Sequence, residues 1–352
     1  PVTLESLSIL NASATVNMLG GTTTSIVGGV MMNHGLIVVN SSFNSTDAVV
    51  SFAASGVLSG TGELRLNGFN TLDARLQAEP GAVLTHEAGH TITGRGRLGG
   101  TIVNRGVVRP NTAGPLELAG AMTQEAGGEV IVDGGIFGLT GGTLTGGMVS
   151  SLSGGVGRVF TSGTMASLTS SAAIELLGGS SLLLQGGIIN DGSFLVNSNF
   201  QNTDAVLTLD SGASLGGSGI IRLNGFNTLD ARVESTPGVV PVQQASHAIV
   251  GRGRIAAELM NEGVISADIA GVYLEISGDG MQGAGGVCRG DEGILALVES
   301  GRILGGTVTS TGNGSVQARS GAGTLEDVFN SGSVTVLGGA TLQLVGGIQN
   351  DG

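Results

Sequence analysis

Lysine is absent: all fourteen basic residues are arginine, set against 27 acidic ones, for a net charge of −13. That removes lysine Schiff-base chemistry, a phosphate-loop lysine and a lysine general base from consideration. An acidic, lysine-free surface also repels nucleic acid, whose phosphates must be neutralised for binding. Tryptophan is missing too, and aromatic residues make up only 3% of the chain. A compact enzyme of this length fills its core with larger side chains, so the interior here has to be built from small aliphatic ones. The single cysteine, Cys288, permits no internal disulfide and is read as a small buried apolar residue. No apolar run approaches the roughly 18 residues of a membrane-spanning helix. No secretory leader is visible, and a chain opening at Pro1 is expected to be a processed product or an excerpt.

Glycine is abundant instead, 66 residues of 352, and a hydrophobic share of 40% argues against disorder. The segment "RLNGFNTLDAR" at 65–75 recurs letter for letter at 222–232, while the "LQAEPGAVLTHEAGH" that follows the first has become "VESTPGVVPVQQASH". Asp73 and Asp230 lie 157 positions apart; "NSSFNSTDAVV" at 40–50 and "NSNFQNTDAVL" at 197–207 keep that offset, as do the "GRGR" stretches at 94–97 and 251–254. A third copy begins where "LLGGSSLLLQGGIINDG" at 176–192 returns at 336–352. Tandem repeats of about 158 residues are therefore expected, with 1–160, 161–321 and 322–352 as parts of one continuous array.

Within each long unit, short runs of alternating apolar residues are separated by Gly and Asn turns, as in "GTIVNRGVVRPN" and "AELMNEGVISAD". Helical spacing never persists. The expected fold is all-β: a parallel β-solenoid, read as a right-handed β-helix, with coils of about 20 residues stacked about 4.8 Å apart. The recurring Asn-x-Gly triplets are read as corners that accept positive φ: Asn33 and Gly35, Asn104 and Gly106, Asn190 and Gly192, Asn261 and Gly263, Asn330 and Gly332, Asn350 and Gly352. Asn67 with Gly68, and Asn224 with Gly225, are read as tight corners. In the repeated segment Leu66 and Leu72 are expected inward, Phe69 as a large core filler, and Asp73–Arg75 and Asp230–Arg232 as charged pairs. Structural constraint is one reason for the identity of the two copies; recent duplication or local gene conversion is the other.

The stretch 94–135, "GRGRLGGTIVNRGVVRPNTAGPLELAGAMTQEAGGEVIVDGG", resembles the passenger β-helices of autotransporter-type and filamentous-haemagglutinin-like surface proteins. Those carry a phrase of the form G-x-G-x-L-x-G-x-x-x-N-x-G-x-V-x-P-G followed by a short apolar strand and a "TQ". Repeat two keeps the first half and departs where Ala267 and Asp268 stand. The resemblance implies an extracellular or cell-surface location.

Other motifs are weaker. "HEAGH" at 86–90 fits the zinc-protease pattern with His86, Glu87 and His90, but Gly89 and the β-rich context disfavour the helix that chemistry needs, and repeat two has Gln243, Gln244 and His247. A polar loop is expected there. "GRGRLG" fits a dinucleotide fingerprint without a following helix, so both GRGR copies are read as turns whose Arg95, Arg97, Arg252 and Arg254 stack along one face or pair with acids such as Asp73 and Asp230, with anion binding as the alternative. Arg289, Gly290 and Asp291 form an "RGD" tripeptide, a candidate receptor contact if it sits on an exposed loop. Asp47 and Asp204 are among scattered acids that could take Ca²⁺, but the nonapeptide that would make this specific is absent, and no cofactor is expected.

The function expected is a non-catalytic extracellular rod, structural or adhesive, that continues beyond both ends or stacks with other copies, with a host-cell or matrix surface as a further partner. The alternative is a carbohydrate-active β-helix, a polysaccharide lyase or glycosidase, which needs a cleft with paired acids.

Overall fold

In the computed structural model, described for residues 1–210, 212–283 and 285–351, every regular element among these residues is a β-strand. The chain forms two compact units, Pro1–Ala173 and Ile174–Gly352. The strands are short because Gly and Asn interrupt the alternation every few residues. Glu63–Asn67 shows the rule: Leu64 and Leu66 are buried, while Glu63, Arg65 and Asn67 face outward. Each strand pairs in parallel with the equivalent strand one turn later, which is the winding of a parallel β-solenoid.

The register stacks like on like. In the first unit Ile37, Leu64, Ile92, Val108, Val130 and Val149 pair successively and form one buried column. In the second, Phe194, Ile221, Ile249, Ile265, Cys288 and Val308 do the same. Cys288 takes the place in its column that Val130 takes in the first, and burial pushes its thiol up to about 12. Such columns supply the stability, at about 1.5–3 kcal/mol for each fully buried aliphatic side chain.

Turn length averages near the expected 20 residues but varies from turn to turn. Successive partners lie 27, 28 and 16 residues apart from Ile37 to Val108, and 27, 28 and 16 apart from Phe194 to Ile265. The long turns carry excursions; the short one closes directly. Each unit thus repeats the same sequence of long, long and short turns at the 157-residue offset.

Each Asn-x-Gly triplet begins on the last residue of a strand and leads out of it, but positive φ is not what it needs. Gly35, Gly106 and Gly263 all have ordinary φ. A Cβ at Gly35 would stand 2.3 Å from the Ala14 carbonyl oxygen, and one at Gly263 2.2 Å from that of His247. Close approach to the neighbouring coil is the constraint. Asn33, Asn104, Asn190 and Asn261 turn inward and are fully buried, and Asn33, Asn190 and Asn261 also accept from the N–H of the glycine two residues on. Asn330 does likewise toward Gly332; Gly352 lies outside the described residues. Nor are the GRGR stretches turns. They lie inside the strands Thr91–Gly99 and Ala248–Ala256, bent at Gly94 (φ 92°) and Gly251 (φ 109°). Only glycine accepts that backbone without strain.

Candidate functional site

The twice-kept segment builds a surface loop, and it does so identically in each unit. Asn67 ends the strand Glu63–Asn67 and donates its Nδ2 to the Asn40 carbonyl at 3.0 Å; Asn224 does the same to Asn197 at 3.1 Å. Gly68 and Gly225 then leave the sheet, donating N–H to the carbonyls of Arg95 and Arg252. Asp73 and Asp230 are buried, and each accepts the N–H of the loop asparagine, Asn70 or Asn227, at 2.8 Å. The expected Asp73–Arg75 and Asp230–Arg232 pairs do not form. These aspartates serve the backbone of their own loop, and the arginines reach the previous coil, Arg75 to Asp47 and Arg232 to Asp204.

Leu66 is buried as expected, but Phe69 and Leu72 are not: Phe69 is 53% exposed and Leu72 44%, with Phe226 at 51% and Leu229 at 43%. Neither Phe69 nor Phe226 fills the core. Each instead meets a second exposed phenylalanine edge to face, Phe43 at 5.7 Å and Phe200 at 5.5 Å between ring centroids. Four of the nine phenylalanines of the chain are spent here. Phe43 and Phe200 hold φ of 48° and 52°, a left-handed conformation that costs a bulky residue about 1–2 kcal/mol. Buried Asn40 and Asn197 hold the turn in place by donating to the carbonyls of Asn44 and Gln201, each at 2.7 Å. Backbone and capping needs account for Asn67, Gly68, Asn70 and Asp73. They do not account for Phe69 and Leu72, which are equally unchanged in the second copy.

Sequence reasoning missed Phe43 and Phe200. The available signal was a phenylalanine kept at the 157-residue offset within an otherwise polar stretch.

Beside each loop lies a cavity. In the first unit it measures about 310 Å³ and is lined by Phe43, Arg65, Asn67, Arg95, Thr112 and Gly114. In the second it measures about 290 Å³ and is lined by Asn227, Thr228, Arg252, Val272, Tyr273 and Arg319. Arg97 and Arg254, from the same strands, pair with Glu117 and Glu275 rather than with Asp73 and Asp230.

HEAGH runs from the end of the strand Val83–His86 into the turn expected there, but both of its histidines are buried in the interior. Asn33 Nδ2 donates to His90 Nε2 (3.1 Å), His90 Nδ1 to His86 Nε2 (3.0 Å), and His86 Nδ1 to Asn104 Oδ1 (2.7 Å). One direction of donation satisfies the whole chain of bonds and occupies all four ring nitrogens. Burial lowers His86 to about 4 and His90 to about 3, and Glu87 pairs with Arg105. In the second unit His247 accepts from Asn190 at 3.1 Å, and burial lowers it to about 4. No group of three His, Cys, Asp or Glu residues among the described residues is placed to hold a metal ion. The RGD tripeptide sits in the strand Val287–Asp291, not on a loop; Gly290 is buried, and Arg289 and Asp291 pair with each other at 3.3 Å.

Strand pairing and loop together define a parallel β-solenoid that presents one elaborated surface site in each of its two units. Among solved structures, the chain is similar to a crystallised TibA fragment hyper-glycosylated under TibC catalysis, with 15% identity over 97% of each chain and a TM-score of 0.26. A score that low means the two backbones do not superpose closely, and the fold assignment rests on the chain's own strand pairing. No family model matches the sequence, and no curated protein does.

Proposed function

We propose that this chain is an adhesive segment of an extracellular surface rod, of the kind its sequence resembles in autotransporter passengers. The observation that carries this reading is the pair of surface loops: fold requirements explain their backbone, yet exposed Phe69, Leu72, Phe226 and Leu229 are kept as strictly as the buried positions. Exposed apolar side chains repeated on a rigid scaffold are a binding feature. An acid beside the first cavity is engaged by arginine, Glu63 by Arg65. That arrangement favours a binding role over the lyase or glycosidase alternative, whose acids must face a substrate unpaired.

Two measurements test the proposal. Antibody against residues 1–352 should label intact producing cells, and label appearing only after permeabilisation would refute the surface location. Purified protein should adhere to cell or matrix surfaces, and Phe69→Ser/Phe226→Ser should abolish that adhesion; undiminished adhesion would refute the role of the loops.

A further inference from the structure

We infer that each loop, with the cavity beside it, binds an acidic saccharide: a sugar ring bearing a carboxylate or sulfate, the anion on Arg95 or Arg252 and, in the first unit, the ring against Phe43. This rests on the adhesive reading and names its ligand class.

The arginines carry the inference. Eleven of the fourteen make ion pairs with carboxylates, and Arg158 has a partner as well. Among the described residues, the two guanidinium groups with no such partner are Arg95 and Arg252. They are 157 positions apart, at equivalent places in the two units, and each lines the cavity of its own unit. In a chain of net charge −13 an arginine easily finds an acid; two guanidinium groups without one, at one repeated position, therefore point to an anion from outside the chain. Arg95 is also held in place. Its aliphatic stem lies over Gly114, where a Cβ would come within 2.1 Å of its Cδ, and its buried Nε has no partner. A planar guanidinium offers two parallel donors to a carboxylate or sulfate.

The remaining surroundings suit a sugar better than a bare ion. Phe43 lines the first cavity and packs edge to face on Phe69, leaving ring surface exposed for the C–H face of a pyranose. Asn67 and Thr112 line the first cavity, and Asn227 and Thr228 the second, offering neutral polar groups for hydroxyls. Volumes near 300 Å³ fall at the lower end of small-molecule sites, room for one or two sugar rings. Each cavity is also lined by a second arginine that pairs with a glutamate, Arg65 with Glu63 in the first and Arg319 with Glu275 in the second, where Arg319 lies over Tyr273 at 3.8 Å.

The duplication sets the test. The full chain is titrated by calorimetry with a glucuronate-containing tetrasaccharide, a sulfated tetrasaccharide, a neutral tetrasaccharide and inorganic sulfate. The expected result is two sites per chain for at least one acidic sugar, one after Arg95→Gln and none after Arg95→Gln/Arg252→Gln. Affinity should fall about tenfold or more at each altered site, the scale of a lost hydrogen bond to a charged group. Thermal unfolding should not move, because neither guanidinium has a protein partner to lose. Equal affinity for the neutral sugar, or indifference to the double arginine variant, would overturn the role of the arginines. Inorganic sulfate binding as tightly as the sulfated sugar would overturn the saccharide. If neither acidic sugar binds, the ligand class is wrong; adhesion that survives Arg95→Gln/Arg252→Gln but is lost in Phe69→Ser/Phe226→Ser would then leave the adhesive reading standing with another ligand.

Discussion

The buried histidines should make this protein lose stability in mild acid. His86 and His247 are lowered from 6.5 to about 4 and His90 to about 3, each first of all by burial. In the unfolded chain all three take up a proton as pH falls through about 6.5, whereas the folded core keeps them neutral. The unfolded state then binds more protons, so stability is complete above about pH 6.5 and declines as pH drops toward 4. Each pKa unit is worth about 1.4 kcal/mol, so moving from about pH 7 to about pH 5 costs on the order of 2 kcal/mol per histidine and about 5 kcal/mol for the three. Glu79 and Asp133 are held below their ordinary values by hydrogen bonds from Ser51 and Arg109. Guanidinium unfolding followed by circular dichroism at about pH 7, 6 and 5 reads the effect as a falling midpoint. His86→Gln copies the residue that stands as Gln243 in the second unit, and should remove about a third of the slope. A midpoint independent of pH over this range would refute the buried neutral ladder.

Three further outcomes follow from the packing. Leu64→Ala empties a fully buried position in the first column and should destabilise by about 2–5 kcal/mol in chemical denaturation. Gly96→Ala would place a Cβ 2.3 Å from the Ala74 carbonyl oxygen and 2.8 Å from Leu66 Cβ; hydrogen exchange should show local opening of the strand Thr91–Gly99 without loss of distant coils, because neighbouring turns carry the stability of a solenoid. Asp73→Ala removes the acceptor of the Asn70 N–H and should cost about 1–3 kcal/mol, read as faster exchange at Asn70.

Strand identity was legible in the sequence because alternation and Gly-Asn breaks are local signals, and the inward position of Leu66 follows from them. The loop was misread for a definite reason. Gly68 takes the chain out of the sheet, so the period of two no longer applies, and apolar Phe69 and Leu72 were assigned to a core they never reach. Ion pairs were misassigned because partners lie one coil away: Arg75 meets Asp47, 28 positions earlier, and a spacing that varies from turn to turn cannot be read without the register. The same gap hid the histidine ladder, whose members come from coils far apart in sequence, as in Asn33 and His90. Arg95 and Arg252 were visible as repeated residues, but their lack of a partner is a property of the folded neighbourhood alone.

The central claim is that the exposed side chains of the twice-built loop serve binding and not folding. The most direct measurement takes one preparation of Phe69→Ser/Phe226→Ser and records both its thermal unfolding and its adhesion. With both rings about half exposed, the melting temperature should stay within about 2 °C of the parent while adhesion disappears. A large fall in melting temperature, with adhesion per folded molecule unchanged, would contradict the account.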